Sequence, residues 1–330
     1  MKDYLFESAR VRTMETALVG EAGFAELLQA SDEADLISRL KALGIDPVTE
    51  PESGRLLAEE TLLSRLKRAY REVLAGDGNT GALRLWLYPY DCNNVKAAIK
   101  GVIRECDSRS MMFDFGTVDA ESLIRMAKNG SFEGLSPAIC RAAGEAVAAY
   151  AKHRNPQEID LMLDRACFAD MLSAAEVSGS ELVLQLVRER IDLTNLMIAV
   201  RVLRMKNGAI GRILLDGALI EGGMLTVSEW TEWFSSGEDV LWERLRYTKY
   251  AAIADAVRSD ATLRAVERCA DNFFMKTVRG IKFIPYGVEV SVGYLLATEV
   301  EVKNLRILLA GKALGLETDV IRERMREGYV

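Results

Sequence analysis

Hydrophobic residues recur three and four positions apart along most of the chain, which is the spacing of one buried helix face. The clearest example runs from about Val290 to Gly315, with Leu296, Val300 and Ile307 on its apolar side. Gly315 is its predicted stop. Proline is sparse, at six residues, and no run of alternating strand residues stands out. The pattern therefore predicts an all-α fold.

Interruptions of the helical pattern mark the predicted turns. Residues 84–88 and 282–284 are predicted to be short extended pieces, closed by Pro89 and Pro285. Loops or helix stops are predicted at 46–54, 76–81 and 207–208. Ser31 before a run of acids predicts a helix N-cap, and Thr226 three residues before Glu229 predicts a capping box.

Three stretches share an acid three residues before an asparagine, then an aliphatic residue and a basic amphipathic helix. They contain Asp91 and Asn94, Asp192 and Asn195, and Glu301 and Asn304. The asparagines are 101 and 109 residues apart. The recurrence predicts one helical unit used three times, over residues 1–112, 113–216 and 217–330.

Two further features recur in the same order. An apolar-charged-Arg-small stretch places an arginine 26, 30 and 36 residues before the asparagine, at Arg68, Arg165 and Arg268. A capped helix follows a polar turn at Ser31, Ser131 and Gly237. Three equivalent units that close on themselves would form a pseudo-threefold, funnel-shaped arrangement. Small residues of the last long helix are predicted to allow close packing between units: Gly293, Ala297, Ala310 and Gly311.

The acid–asparagine pairs have two interpretations. As a site, they would place three carboxylates near a common axis. As structure, an acid and an amide at positions i and i+3 share a helix face and can bond each other or a neighbouring backbone. The structural interpretation is favoured, because a catalytic centre has no reason to be copied three times in one chain. The three arginines are expected to pair with the acids of these pairs.

Composition excludes several other classes. The 330 residues carry a net charge of −7 and 7% aromatic residues, which disfavours nucleic-acid binding. Five scattered cysteines give neither a disulfide framework nor a zinc motif and indicate a reducing compartment. The single histidine, His153, is expected to be an exposed residue near a helix end. No signal peptide, transmembrane segment or P-loop is predicted, and no catalytic, cofactor or metal site.

Three segments resemble a known family, the C subunit of the rotary V/A-type ATPase or ATP synthase, the counterpart of the eukaryotic d subunit. They are Ala9–Glu15, Glu299–Lys312 and Ile321–Val330. The resemblance extends over the whole length, including the threefold repeat. It implies an all-helical funnel without catalytic residues, which sits on the membrane proteolipid ring and receives the central shaft subunits of D and F type in its mouth.

The function implied by this resemblance is mechanical. The chain would be a rotor subunit of the central stalk at the cytoplasmic face of the membrane, peripheral to it. It would couple shaft and ring for ATP synthesis or hydrolysis with proton or sodium transport. Two alternatives remain: a free-standing helical-repeat adaptor for protein docking, and an enzyme that uses Asp91, Asp192 and Glu301 as catalytic carboxylates.

Overall fold

The computed structural model of the chain describes residues 4–76, 80–205, 208–259 and 262–330. These residues form α-helices joined by turns and short 3₁₀ helices, and within them the β-structure is one isolated bridge between Thr49 and Leu56. The all-α prediction is confirmed. The helices are α1 Leu5–Glu15, α2 Glu21–Leu28, α3 Glu33–Ala42, α4 Ala58–Gly76, α5 Thr80–Arg84, α6 Tyr88–Ile103, α7 Ala120–Asn129, α8 Pro137–His153, α9 Pro156–Ser178, α10 Glu181–Arg204, α11 Gly208–Ala218, α12 Val227–Ser235, α13 Glu238–Arg246, α14 Ala251–Arg258, α15 Leu263–Arg279, α16 Val288–Ala313 and α17 Thr318–Arg324.

Contacts divide the chain into two compact units. The first combines the described residues of Met1–Gly78 and Asp255–Val330, and the second those of Asn79–Ala254. These limits follow compactness, whereas the predicted units 1–112, 113–216 and 217–330 follow internal similarity. The three-unit division therefore stays a prediction.

In the first compact unit, α16 is the central helix and packs against α1, α4, α15 and α17. Its opening segment from Val290 to Thr298 is buried on every side. A helix that is apolar all round lies inside the core, whereas an amphipathic one lies at its edge. The predicted single buried face therefore holds only for the second half of α16, where Lys303 and Arg306 reach the surface. Gly315 follows the helix with a φ of 64°, as a C-terminal stop requires.

In the second compact unit, α9 is the organising helix and packs against α5, α6, α8 and α10. Helix α8 makes the most extensive contact with it, and the buried residues of α8, Ile139, Ala142, Ala143 and Ala146, are mostly alanine. Small side chains let two helices approach closely, which explains the extensive α8–α9 contact. His153 is the last residue of α8 and is half exposed, as expected.

Several local predictions need correction. Residues 85–87 and 280–283 are 3₁₀ helices rather than extended pieces. Pro89 lies in the first turn of α6 instead of closing a strand. A helix tolerates proline there, because the missing N–H would have no partner within the helix.

The predicted caps are partly right. Asp32, not Ser31, caps α3, since its carboxylate accepts the N–H of Asp35. Ser131 follows α7 and caps no helix, whereas Gly237 stands at the N-cap of α13. The capping box of Thr226 and Glu229 is confirmed at α12.

The loop at 46–54 is confirmed as turns around the Thr49 bridge. Helix α10 ends at Arg204, and the predicted stop at Asn207 lies outside the described residues, as do residues 77–79 of the predicted turn at 76–81. The described part of that turn is helical, since Gly76 ends α4 and Thr80 begins α5.

Candidate functional site: three asparagine–acid clusters

The first cluster lies on α6, where Asp91 and Asn94 are both buried on one face. Asn94 Nδ2 donates to the Phe113 carbonyl at 2.9 Å, while the Phe113 N–H donates to Asn94 Oδ1 at 2.7 Å. The side-chain amide thus pairs with both polar groups of one main-chain residue, as a second backbone would. Asp91 binds the chain four residues after Phe113, accepting the Thr117 N–H at 2.7 Å and the Thr117 hydroxyl at 2.6 Å.

The second cluster repeats this geometry on α10. Asn195 Nδ2 donates to the Ile220 carbonyl at 2.8 Å, and the Ile220 N–H donates to Asn195 Oδ1 at 2.9 Å. The Asp192 carboxylate accepts the Leu225 N–H at 3.2 Å. It also accepts the Tyr250 hydroxyl at 2.6 Å. All polar atoms of this buried pair are therefore engaged within the chain.

The third cluster lies on α16 and joins distant parts of the sequence. Asn304 Nδ2 donates to the Arg326 carbonyl at 2.9 Å, and the Arg326 N–H donates to Asn304 Oδ1 at 2.8 Å. Glu301 accepts the Val19 N–H at 2.7 Å. Its carboxylate also forms a buried ion pair with Arg65, at 2.9 Å between Arg65 Nε and Glu301 Oε2. A longer acid and an arginine here take the place of the threonine and tyrosine hydroxyls.

Each acid holds the segment that leads into another helix. The N–H donors stand just ahead of N-caps: Thr117 before Asp119 at α7, Leu225 before Thr226 at α12, and Val19 before Gly20 at α2. The asparagine–acid cluster is therefore a device that fixes how the chain enters the next helix. The i, i+3 spacing is required because the asparagine and the acid must reach the same stretch of chain from one helix face.

Burial dominates the electrostatics of the two aspartates. It raises the pKa of Asp91 above the ordinary value of 3.8, although the hydrogen bonds from Thr117 work in the other direction. It likewise raises the pKa of Asp192, against the hydrogen bond from Tyr250. Burial and the neighbouring Asp192 charge raise the pKa of the Tyr250 phenol. The Tyr250 hydroxyl is therefore the donor in its hydrogen bond with the Asp192 carboxylate.

Arg68 does not have the partner that the sequence suggested. It is half exposed and pairs with Glu72 at 2.9 Å and with Asp46 at 3.3 Å. The arginine that reaches a cluster acid is Arg65, one helical turn earlier, which binds Glu301. Arg65 follows the buried face of α4, and this periodicity is the signal in the sequence that could have identified it.

Arg165 and Arg268 bind main-chain carbonyls instead of the expected acids. Arg165 donates to the carbonyls of Gly217 at 2.6 Å and Leu219 at 3.2 Å. Arg268 donates to the carbonyl of Glu323. Gly217 and Leu219 come three and one residues before Ile220, which Asn195 binds. Glu323 likewise comes three residues before Arg326, which Asn304 binds. These two arginines therefore support the same stretch of chain as the asparagine.

The segments 9–15 and 321–330 meet in the first compact unit. Arg12 forms an ion pair with Glu15 at 2.8 Å and donates to the Ile284 carbonyl at 2.7 Å. The buried Tyr329 hydroxyl donates to Glu15 Oε1 at 3.0 Å. Burial, followed by the Glu15 charge, raises the pKa of Tyr329. The Arg12–Glu15–Tyr329 network fixes the last residues of the chain against α1.

Predicted close packing at small residues is found at Gly293 and Gly311, but within the third predicted unit. A Cβ on Gly311 would lie 2.6 Å from Ile321, and one on Gly293 would lie 2.9 Å from Ile281. Ala297 is buried in the first half of α16. Ala310 is exposed and packs no interface of this kind in the described part of the chain.

The fold and its clusters define an all-helical scaffold in which buried side chains hold main-chain segments. The chain belongs to the ATP synthase (C/AC39) subunit family, whose model matches residues 8–324. It is 25% identical to the C subunit of the A-type ATP synthase of Haloferax volcanii, over 96% of this chain and 95% of that one. The C subunits from Methanosarcina mazei and Methanocaldococcus jannaschii are 24% and 22% identical, covering 98% and 97% of this chain and 92% and 85% of theirs.

The described residues hold neither a membrane span nor a metal centre. No helix among them combines the length and the apolar character needed to cross a membrane. In the same ranges, no group of three or more His, Cys, Asp or Glu side chains is placed to hold a metal ion.

Proposed function

We propose that this chain is a non-catalytic rotor subunit of an A-type rotary ATP synthase. It would sit peripherally at the cytoplasmic face of the membrane and couple the central shaft to the proteolipid ring during proton or sodium transport. Family membership supports the assignment to such a complex, since the relatives are C subunits of A-type ATP synthases. The chemistry of ATP would belong to other subunits.

The observation that carries the mechanical role is the threefold recurrence of the asparagine–acid cluster. In each cluster a long helix holds the backbone of one residue through an asparagine and the start of another helix through an acid. A subunit that transmits torque has to resist twisting between its helices. Buried two-point hydrogen bonds fix orientation as well as distance, so they suit that task.

The third cluster supports a cyclic relation between three units. Glu301 binds Val19 near the start of the chain, as Asp91 and Asp192 bind segments after their own helices. If the units are equivalent, each acid therefore holds the chain where the next unit begins, and the last unit does this for the first. This supports the division at 1–112, 113–216 and 217–330, and the funnel-shaped, pseudo-threefold arrangement remains part of the proposal.

The test is co-purification of the tagged chain from mildly solubilised membranes. The proposal expects the proteolipid ring and the shaft subunits of D and F type to accompany it. Recovery of the tagged chain without ring and shaft, from membranes in which both remain assembled, would contradict the rotor assignment. Recovery of other partners alone would favour the free-standing adaptor.

A second measurement tests coupling in the assembled complex. Asn195→Asp should weaken the second cluster, and Thr194→Ala at the neighbouring, partly exposed position of the same helix serves as the matched control. If the rotor proposal is right, the first variant should retain ATP hydrolysis but lose a larger share of ion pumping than the control. Equal loss of hydrolysis and pumping, with the complex intact, would instead indicate a role in catalysis.

A further inference from the structure

Helices α6 and α9 are joined by regularly spaced side-chain pairs. Lys100 Nζ lies 2.5 Å from Asp160 Oδ1, and Lys96 Nζ lies 2.5 Å from Asp164 Oδ1. The partners move back four residues on α6 while they advance four residues on α9. The helices are therefore antiparallel, and each pair lies one helical turn from the next.

One turn beyond the second ion pair, the same register brings two cysteines together. Continuing from Lys96 to Cys92 on α6 leads to positions 167 and 168 on α9, where Cys167 lies. Cys92 Sγ is 3.2 Å from the Leu163 carbonyl, which is one turn before Cys167. The register thus places the two buried cysteines next to each other where α6 packs against α9.

Two cysteine thiols can touch only where the two backbones that carry them lie close together. A cysteine side chain has one carbon and one sulfur, so sulfur contact requires the two helices to be close at this point. Disulfides form between cysteines whose Cα atoms are roughly 4.4–6.8 Å apart. The flanking ion pairs hold the helices in register, so the two cysteines stay next to each other and no large rearrangement is needed to join them.

We propose that Cys92 and Cys167 form a latent cross-link, which a peroxide converts into a disulfide between α6 and α9. One thiolate attacks the peroxide and becomes a sulfenic acid, releasing one water. The second thiol then attacks that sulfur, the S–S bond forms, and the sulfenic oxygen leaves as a second water. Two thiols lose two electrons and two protons in total, and one hydrogen peroxide is reduced to two waters.

The cross-link would act on the first asparagine–acid cluster. Cys92 directly follows Asp91 and lies two residues before Asn94, so a disulfide would fix this part of α6 against α9. The hydrogen bond with Cys92, together with burial, raises the pKa of the Cys167 thiol. Thiolate is the reactive form, so closure is expected to be slow at neutral pH and faster in mildly alkaline solution.

The test uses the full chain with Cys106, Cys140 and Cys269 replaced by serine, so that only the proposed pair remains. Hydrogen peroxide is added to the folded protein, and intact mass and alkylation are followed. The expected result is loss of two hydrogen atoms, loss of both alkylatable thiols, and a cross-linked peptide containing both cysteines. Adding Cys167→Ser to the same variant should abolish all three.

Closure should also raise the melting temperature by a few degrees, because it links residues far apart in sequence. Reduction with a dithiol should reverse this rise. The proposal is overturned if the folded protein keeps both alkylatable thiols, or forms only sulfinic acid, under conditions in which the denatured variant cross-links. Since both measurements are made on the isolated chain, their outcome is independent of the rotor assignment.

Discussion

Glu301 and Val19 are 282 residues apart in sequence, yet the Val19 N–H donates to Glu301 Oε1 at 2.7 Å. The same carboxylate binds Arg65, so α16, α4 and the segment before α2 meet at one buried group. A buried ion pair by itself adds little net stability, because desolvation offsets its attraction. Here the hydrogen bond to Val19 gives the pair a further role in fixing the start of α2.

Removing Arg65 should be far more damaging than removing Arg68. Arg65→Met leaves the Glu301 carboxylate buried without its cation, which is expected to cost about 3–5 kcal/mol. Arg68→Met removes exposed ion pairs and should cost about 0–1 kcal/mol. Urea unfolding of the two variants measures the difference directly. Similar losses for both would show that the Arg65–Glu301 pair is not the buried anchor described above.

The asparagines are expected to be intolerant even of an isosteric change. Asn195→Asp keeps the shape but replaces the Nδ2 donor with an oxygen, which then faces the Ile220 carbonyl. The unsatisfied buried groups should lower the free energy of unfolding by about 1–3 kcal/mol or more. The same change at Asn94 and at Asn304 should have an effect of the same sign and similar size. A near-zero effect at any one of them would contradict the equivalence of the three clusters.

Stability should depend on pH in opposite ways at the buried Asp192 and the part-buried Asp271. The pKa of Asp192 in the folded chain is raised above the ordinary value of 3.8, chiefly by burial. The folded state therefore binds this proton more tightly than the unfolded state. The stability that Asp192 contributes through this proton is fully present below about pH 3.8 and is lost as the pH rises through the pKa of the folded state.

Asp271 provides the matched comparison. Burial opposes ionisation there too, but the Lys303 and Arg326 cations outweigh it and hold the pKa of Asp271 below 3.8. Its contribution is present above pH 3.8 and is lost as the pH falls through the folded pKa. Unfolding free energies of the wild type, Asp192→Asn and Asp271→Asn should be measured from acid to neutral pH. The wild-type advantage should shrink with rising pH for Asp192→Asn and grow for Asp271→Asn, and parallel curves would refute both assignments.

Gly311 is expected to tolerate no side chain unless its neighbour is trimmed. Gly311→Ala would place a Cβ 2.6 Å from Ile321, and such overpacking costs about 1–3 kcal/mol. Combining it with Ile321→Ala should cost less than the two single changes added together. Gly144→Ala on α8 is the control, since its Cβ would meet open space and should stabilise the helix by about 0.5–1 kcal/mol. Additive losses at 311 and 321 would rule out the contact.

One half of each asparagine–acid cluster can be found from the sequence. An acid and an amide at i and i+3 must share a helix face, so the pairs on α6, α10 and α16 are recognisable from spacing alone. Their partners are not, because Phe113, Ile220 and Arg326 lie 19, 25 and 22 residues further on and differ in type. Contacts between a side chain and a distant backbone leave no periodic trace in a sequence.

The arginine of the first unit shows a different limit. The local pattern around Arg68 matches those around Arg165 and Arg268, but pattern similarity does not say which side of a helix is buried. Arg65 lies with Leu62, Leu66 and Ala69 on the buried face of α4, so Arg65 and not Arg68 can reach a buried acid. The extended piece predicted at 84–88 is wrong for a related reason, since Pro89 lies in the first turn of α6 and proline marks the beginning of a helix as readily as its end.

The asparagine binds only the peptide group of the residue it holds. A phenylalanine, an isoleucine and an arginine occupy that position in the three clusters, and all are held by the same pair of hydrogen bonds. The side chains of these residues are therefore left free to take on other tasks. Sequence drift at the held residue can reshape a surface or recruit a neighbour, as Arg326 does with Asp271, while the architecture beneath it stays unchanged.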